Sequence, residues 1–234
     1  MKFDNFVNKH LGERCFILGN APSLLNENLS LLKNETVFIV NKGYNALSIG
    51  LDHYNYYVLV DERVYNTDYE DIQKNVNCTR FYSYVMKDNK KYLSGPREEF
   101  IPINKIFTKE SGSKNIIKNK FPNSFDEGWG KTRSVVFDAA LVAFFMGFKE
   151  IYFLGVDLYH DPNASTHFYK SSNREENSRG EINSNPQILK SIIKNISSYF
   201  ETNAITITNL SKGFKYKELM KTSTLEDVIN EKSI

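Results

Sequence analysis

Four residues in the second half of this 234-residue chain carry side chains suited to group transfer. His160 and His167 titrate near neutral pH, so either could be the general base that deprotonates a sugar hydroxyl. Tyr159 could donate a hydrogen bond to a leaving phosphate, and the Arg133 guanidinium could bind the same group. From the residues alone, solvated loop histidines and a solvated arginine remain open interpretations.

The segment Gly19-Asn20-Ala21-Pro22-Ser23 follows a short apolar run and reads as a strand-to-helix turn. Gly19 permits a tight turn, and Pro22 suits the first turn of a helix. Backbone N–H groups at that helix start would face a phosphate, and the Asn20 carboxamide could hold a phosphate or a sugar. The segment contains a single glycine and is not the dinucleotide fingerprint, so an ordinary turn capped by Asn or Ser stays open.

Three further predicted strands also end in small or polar residues. Asn41 follows the second, Asp61 follows the third, and Gly155-Val156-Asp157 follows a later one, where Asp157 could accept hydrogen bonds from a ribose or a base. The carboxyl ends of parallel strands meet at one edge of a sheet, which is where open α/β sheets bind ligands. This convergence favours a nucleotide-type site.

An apolar helix opens at Thr132-Arg133-Ser134. Ser134 or Thr132 would cap it, and its first amides together with Arg133 would form an anion site; simple capping is the alternative. Gly130-Lys131-Thr132 is not a phosphate-binding P-loop, since Phe125 stands where that motif requires a glycine. No carboxylate stands at a useful spacing from Asp157, so no metal site and no cofactor are expected.

The hydrophobic pattern predicts an α/β fold with a Rossmann-like parallel sheet flanked by helices. All 234 residues are interpreted as a single nucleotide-sugar-binding domain in which the polar segment 160–185 forms a lid. Strands are predicted at residues 15–18, 36–40, 56–60, 151–154 and 204–208, with 81–85 and 100–107 ambiguous. Helices are predicted at residues 23–33, 134–146, 186–200 and 225–232.

Composition narrows the function classes. A formal net charge of +2 does not fit a nucleic-acid-binding surface, and the two cysteines show no disulfide or zinc spacing. The sequence shows no signal peptide and no run of apolar residues long enough to span a membrane, so a cytoplasmic location is expected. The basic stretch 211–221 could contact an anionic membrane surface, although an exposed helix or turn is the simpler interpretation.

Three quoted segments resemble one family: FILGNAPSL, IVNKGYNAL and AALVAFFMGFKEIYFLGVDLYH. Their order and spacing are similar to those of the bacterial lipooligosaccharide sialyltransferases (glycosyltransferase family 42) and of the related MptE-like and motility-associated-factor glycosyltransferase domains. The resemblance runs over residues 14–212, with no defensible match in 66–128. It implies a GT-A-like sialyltransferase fold, a CMP-activated nonulosonic acid donor, no metal ion and inversion at the anomeric carbon.

The same resemblance assigns roles to individual residues. Contacts with the nucleotide phosphate and ribose fall to Asn20, Ala21, Ser23 and Asn41, and Ser134 lies near the donor. The cytidine pocket is lined by Gly155, Val156, Asp157 and Leu158, and Tyr159 stabilises the departing phosphate.

The sequence also departs from the family pattern. Ala21 replaces a second glycine, and Asp61 replaces an asparagine. The family's catalytic histidine corresponds here to Ile182 or Asn183. The base is therefore His160 or His167, or a carboxylate such as Asp61 or Glu181, or the chemistry differs.

Three functions follow as hypotheses. The first is a glycosyltransferase that transfers an acidic sugar, either a sialic-acid-like nonulosonate or Kdo, from its CMP-linked form to a bacterial surface glycan or glycolipid. Peripheral contact with the inner face of the membrane and homo-oligomerisation are possible additions. The second is an MptE-like pterin diphosphokinase using ATP and Mg²⁺, held by Asp61, Glu62 and Asp157. The third is a non-catalytic nucleotide-binding module.

Overall fold

The computed structural model describes residues 3–83, 98–101, 124–125, 129, 132–158, 165–171 and 186–231, the side chains of 98–101 excepted. The strands are β1 Arg14–Leu18, β2 Thr36–Val40, β3 Tyr56–Leu59, β4 Thr79–Ser83, β5 Glu98–Ile101, β6 Glu150–Leu154, β7 Thr206–Asn209 and β8 Lys221–Thr222. The α-helices are α1 Glu62–Asn75, α2 Val135–Phe145, α3 Pro186–Thr202 and α4 Leu225–Asn230, and 3₁₀ helices cover Phe3–Asn5, Pro22–Asn26, Leu29–Leu32 and Gly43–Ile49.

The described strands form one parallel sheet in the order β5-β4-β3-β2-β1-β6-β7-β8. Alternate residues of the central strands enter two apolar cores, one on each face: Ile17 and Phe38 pack on one side, and Phe16 and Ile39 on the other. Parallel strands covered on both faces read as continuous apolar runs, which is why the sequence identifies them readily. The predicted parallel α/β fold is confirmed.

Helix α2 is the centre of one core. Its residues from Val136 to Ala143 are all buried, and the helix contacts β1, β2, β3 and β6. An apolar surface on nearly every side is the pattern of a buried helix. The helix ends as predicted, with Gly147 in the left-handed region at φ +96° beyond its last turn. α3 packs on the same face, whereas α1, α4 and the 3₁₀ helices Pro22–Asn26 and Leu29–Leu32 pack on the other.

The predicted helix at residues 23–33 is wrong in type. Two short 3₁₀ helices stand there, separated by Glu27 and Asn28, and Glu27 has an extended backbone at φ −102° and ψ 142°. The Glu27 side chain is fully buried beside Lys212, which fixes it out of helical register. Asparagines on either side favour turns over helix interiors, so the pattern of leucines overstated the helix.

Other boundaries moved by a few residues, and one helix was missed. β4 and β5 begin two residues before the predicted runs, and β7 begins two residues after its own. α1 escaped prediction because only Tyr65 and Ile72 of its fourteen residues are buried. In the basic stretch 211–221, Phe214, Tyr216 and Met220 are buried in the core, whereas its lysines and Glu218 face solvent.

Candidate functional site

The strand order places a topological switch point between β1 and β6. The chain proceeds from β1 outward through β2 to β5 and then returns to the opposite side of β1 as β6. We call the carboxyl edge at this switch point the crevice, because open α/β sheets bind ligands there. Gly19 and Gly155 begin these two loops, while Asn41 and Asp61 follow β2 and β3 at the same edge.

Gly19 and Gly155 pack their backbones against each other. The Gly19 amide donates to Leu154 O at 2.8 Å, and the Ala21 amide donates to Gly155 O at 2.9 Å. A Cβ on Gly19 would lie less than 3.0 Å from Gly155 O, and Gly155 itself has φ +61°. Gly19 is thus required by close approach of the two loops, not by a turn with positive φ, which corrects the interpretation from sequence.

The amides expected to face a phosphate after β1 are occupied inside the protein. Those of Gly19 and Ala21 are bonded to the β6 loop, Pro22 has no amide hydrogen, and the Ser23 amide donates to Asp157 Oδ2 at 3.4 Å. Pro22 does stand at the predicted first helical position, but in a 3₁₀ helix of five residues. These internal hydrogen bonds compete with a phosphate for the same amides, and the predicted phosphate contact stays a prediction.

Asp157 and Ser23 join the β6 and β1 loops. The Ser23 hydroxyl donates a short hydrogen bond to Asp157 Oδ1, and both residues are buried. Burial raises the pKa of the Asp157 carboxyl above its ordinary value, and the hydrogen bonds from Ser23 oppose that rise. The carboxylate is thus held in place by the protein, and its predicted contact with a ribose or base stays a prediction.

Asn20 presents an unused acceptor at the crevice. Its Nδ2 donates to Val40 O at 3.1 Å, which ties the end of β1 to the end of β2 and orients the carboxamide. Its Oδ1 is buried and has no hydrogen-bond partner among the described residues. A buried acceptor left unpaired costs free energy, so a ligand N–H or O–H donor at this oxygen would be stabilising.

Three residues of the carboxyl edge have left-handed backbones: Asn41 at φ +49°, Arg133 at φ +66° and Leu158 at φ +48°. Asparagine tolerates this conformation, but arginine and leucine adopt it rarely. Such outliers concentrate at functional sites, where the surrounding structure holds them in place. Within the described residues, the Arg133 guanidinium makes no hydrogen bond or ion pair.

Ser134 occupies the N-cap position of α2, as predicted, but its side chain makes no capping hydrogen bond. Thr132 Oγ1 instead accepts from the Ser134 amide at 3.3 Å and donates to Ser134 O at 2.8 Å. Because α2 leads into the amino end of β6, this helix start lies at the carboxyl edge with its first amides uncapped by Ser134. The arrangement suits an anion.

His167 lies beside the β1 loop. The amide of the next residue, Phe168, donates to Asn20 O at 2.9 Å, and the Phe168 side chain enters the core. The His167 ring stacks on Tyr169 at 5.0 Å, and its Nδ1 lies 2.7 Å from Ser171 Oγ. Residues 165–171 of the predicted lid are thus docked at the site.

Several predicted site residues cannot be placed. Tyr159, His160 and Glu181 lie outside the described residues, as does most of the 160–185 segment.

Asp61 caps α1 by accepting from the Arg63 amide at 2.9 Å, and it pairs with the Arg63 guanidinium.

The carboxylates required for a magnesium site do not converge. Asp61 follows β3 and Asp157 follows β6, three strand spacings or about 14 Å apart. In the described part of the chain, no three His, Cys, Asp or Glu residues are grouped closely enough to hold a metal ion.

One group of residues was missed as a site component. Asn209, the last residue of β7, and Ser211 and Gly213, which follow it, contact the β6 loop. The rule that found the other loops, polar residues at a strand end, applies to Asn209 as well, but their partners are not visible in the sequence.

No protein-family model matches the sequence, and no curated protein matches it. Its fold is similar to that of two bacterial sialyltransferases. The sialyltransferase CstII from Campylobacter jejuni, determined with a substrate analogue, cytidine-5′-monophosphate, has 14% identity and a TM-score of 0.54, with 91% of this chain and 85% of CstII covered. The monofunctional α-2,3-sialyltransferase Cst-I from the same organism has 16% identity and a TM-score of 0.54, with 91% and 80% covered.

A third similar structure is the MAf glycosyltransferase from Magnetospirillum magneticum AMB-1, at 12% identity and a TM-score of 0.53. The aligned region covers 95% of this chain but only 35% of the chain of the MAf glycosyltransferase. The resemblance predicted from the sequence is therefore confirmed at the level of the fold. No helix among the described residues is both long and apolar enough to cross a membrane.

Proposed function

We propose that this chain is a glycosyltransferase that moves an acidic sugar from a CMP-activated donor to a glycan or glycolipid acceptor of a bacterial surface. The donor sugar is a sialic-acid-like nonulosonate or Kdo. The observation that carries the proposal is the topological switch point between β1 and β6, in a fold similar to a sialyltransferase determined with cytidine-5′-monophosphate. Open α/β sheets bind nucleotides at such a switch point.

The proposed reaction is a direct displacement. The acceptor hydroxyl oxygen bonds to the anomeric carbon as the bond from that carbon to the CMP phosphate oxygen breaks, which inverts the centre. The acceptor proton passes to a general base, and CMP departs with the bonding electrons. Groups that stabilise the negative charge developing on the phosphate would take the place of a metal ion.

The crevice offers groups for each part of the donor. Asn20 Oδ1, the buried unpaired acceptor, would receive a ribose hydroxyl or a base N–H. Residues 155–158 would line the cytidine pocket, with Asp157 held by Ser23. Arg133, the α2 amides beyond Ser134, and Tyr159 would face the phosphate.

His167 is the proposed base. The hydrogen bond from the Phe168 amide to Asn20 O places the neighbouring residue 167 beside the β1 loop. Nδ1 lies 2.7 Å from Ser171 Oγ and 3.0 Å from Thr166 Oγ1, and in the tautomer in which Nδ1–H donates to one of these hydroxyls, Nε2 would accept the proton. His160 and the carboxylates of Glu181 and Asp61 are the alternatives. His167→Gln should lower kcat at least a hundredfold while leaving CMP affinity unchanged, and equal kcat would reassign the base.

The class of ligand is tested by thermal unfolding with CMP, UDP, GDP and ATP, each with and without Mg²⁺. At a CMP concentration about 100 times Kd, the expected stabilisation is about 2.7 kcal/mol, or roughly 5–10 °C for a chain of this size. Stabilisation by ATP only with Mg²⁺, together with inhibition by EDTA, would instead support the diphosphokinase. Binding of CMP without turnover of any CMP-sugar would support the non-catalytic module.

Asn20→Ala tests the site assignment. The variant should raise the Kd of CMP about tenfold, equivalent to about 1.4 kcal/mol, with the fold intact. Asn203→Ala is a matched control, since Asn203 is exposed and bonds only within its own helix end, to Tyr199 O at 2.8 Å. Equal CMP affinity in both variants would remove Asn20 from the site.

Location and assembly are further parts of the proposal. A cytoplasmic enzyme would reach a membrane-bound acceptor through the exposed lysines 212, 215, 217 and 221, by charge and not by insertion, because Phe214 and Tyr216 are buried. Binding to anionic vesicles at low salt and release at high salt test this contact. Light scattering tests homo-oligomerisation.

A further inference from the structure

Residues 209–213, which are the last residue of β7 and the loop after it, hold the backbone of the β6 loop at Val156 and are called the β7 loop. The Val156 amide donates to Ser211 Oγ at 2.8 Å, and Val156 O accepts from Asn209 Nδ2 at 2.9 Å. Asn209 Oδ1 in turn accepts from the Ser211 amide at 2.8 Å. Asn209 is 1% exposed and Ser211 is 6% exposed, so these hydrogen bonds are sheltered from water.

Gly213 supports the next residue of the β6 loop. A Cβ built on Gly213 would lie 2.7 Å from Asp157 Oδ1 and closer still to the rest of the carboxylate. The Asp157 carboxylate therefore occupies the space that a side chain at position 213 would need. Any residue other than glycine would displace the Asp157 carboxylate, which is bonded to Ser23 in the β1 loop.

The same loop also contacts the β1 loop directly. Lys212 Nζ donates to Asn26 O at 2.6 Å and lies 3.5 Å from Glu27 Oε2. The Glu27 side chain is fully buried, and its burial raises the pKa of the carboxyl, an effect that Lys212 opposes. Residues 209–213 thus bridge both walls of the switch-point crevice.

We infer that residues 209–213 are a third component of the nucleotide site, in which Ser211 and Gly213 position the β6 loop for nucleotide binding. This inference rests on the proposed function. The amide and the carbonyl of Val156 are both hydrogen-bonded to the β7 loop and are not available to a ligand. Their contribution to nucleotide binding is to fix the positions of Asp157 and of Leu158, whose backbone is left-handed. Preorganised loops bind more tightly because less conformational freedom is lost on binding.

The test combines hydrogen exchange of the free protein with nucleotide affinity and donor kinetics. Ser211→Ala removes the acceptor of the Val156 amide, so exchange in the peptide covering residues 155–158 should accelerate at least tenfold. The Kd of CMP and the KM of the CMP-sugar should rise five- to tenfold, with kcat within twofold. Ser211→Thr, which keeps a hydroxyl, should restore most of the affinity.

Ser197→Ala is the matched control for a lost serine hydrogen bond. Ser197 Oγ donates to Leu219 O at 3.0 Å in a partly buried setting away from the crevice. This variant should leave both the exchange of residues 155–158 and the Kd of CMP unchanged. A Ser211→Ala protein that matches Ser197→Ala in either readout would overturn the inference.

Gly213→Ala provides a second, independent variant. It should raise the Kd of CMP more than Ser211→Ala does, because it displaces Asp157 itself. Gly12→Ala is its control: φ at Gly12 is +83°, so alanine strains the backbone, but its Cβ would meet no atom within 4 Å. Equal CMP affinity in Gly213→Ala and Gly12→Ala would overturn the role of Gly213.

The proposed function and the positioning role of the β7 loop are overturned by different results. If the wild-type protein binds none of the four nucleotides, the proposed function is wrong, and the role of the β7 loop in nucleotide binding is wrong with it. If the wild type binds CMP while Ser211→Ala and Gly213→Ala bind it equally well, only the positioning role is overturned.

Discussion

The Ser23–Asp157 hydrogen bond makes a prediction about the pH dependence of folding. Ser23 donates through its hydroxyl to Asp157 Oδ1, and its amide lies 3.4 Å from Oδ2. Burial raises the folded-state pKa of Asp157, so ionising this carboxyl costs more in the folded protein than in the unfolded chain. The two bonds from Ser23 reduce that cost because they stabilise the ionised form.

The direction of this pH dependence follows from the linkage between proton binding and folding. An acid whose folded pKa is raised favours the folded state most when it is protonated, and this contribution is lost as pH rises from the unfolded pKa, about 3.9, through the folded pKa. Ser23→Ala removes a bond that lowers the folded pKa, so that pKa rises further. The variant therefore loses more stability at neutral pH than in acid.

The magnitude comes from the type of bond that is lost. A hydrogen bond to a charged group contributes about 1.5–3 kcal/mol, and one between neutral groups about 0.5–1.5 kcal/mol. Ser23→Ala should therefore reduce the free energy of unfolding by about 2 kcal/mol at pH 7.5 and by about 1 kcal/mol near pH 4. Urea unfolding at the two pH values measures the difference.

A double-mutant cycle supplies the control. In an Asp157→Asn background the position cannot ionise, so Ser23→Ala should cost the same at both pH values. Equal costs of Ser23→Ala in the wild-type background at pH 7.5 and pH 4, or a larger cost in acid, would refute the assignment of an ionised, Ser23-bonded Asp157.

Two further predictions concern the switch point and the end of β3. Gly19→Ala should lower the free energy of unfolding by about 1–3 kcal/mol through overpacking against Gly155, and it should weaken CMP binding; a wild-type melting temperature would contradict the close approach of the two loops. Asp61→Ala should cost about 1 kcal/mol as a lost N-cap and leave the Kd of CMP unchanged, whereas a tenfold rise in Kd would support a direct role of Asp61 in the nucleotide site.

The strands of the sheet were predictable because the signal for each strand lies within its own few residues. β1, β2 and β6 are buried on both faces, so each is an unbroken run of apolar residues that ends at a polar cluster. α1 was not predictable in the same way, since two buried side chains in fourteen residues give a weak periodic signal. Glu27 shows the opposite failure, in which a tertiary partner, Lys212, overrides a helical pattern.

The convergence of the candidate residues at one edge of the sheet was predictable, but their hydrogen-bond partners were not. Asn20 and residues 155–158 follow strands, so a parallel sheet brings them to one edge whatever their partners are. The partners depend on side chains that are far apart in the sequence. Ser23 bonds a residue 134 positions away, and Ser211 bonds one 55 positions away. No spacing rule contains that information.

The residues at the crevice therefore divide by whether their polar groups are already used. The polar groups of Ser23, Asp157 and Val156 are hydrogen-bonded to one another or to the β7 loop. Substituting these residues should therefore act mainly through the shape of the site. Asn20 keeps a buried acceptor unpaired, and the Arg133 guanidinium has no partner within the described residues. Because an unpaired buried acceptor is costly, the proposed direct ligand contact falls first on Asn20, with Arg133 as the proposed cation for the phosphate.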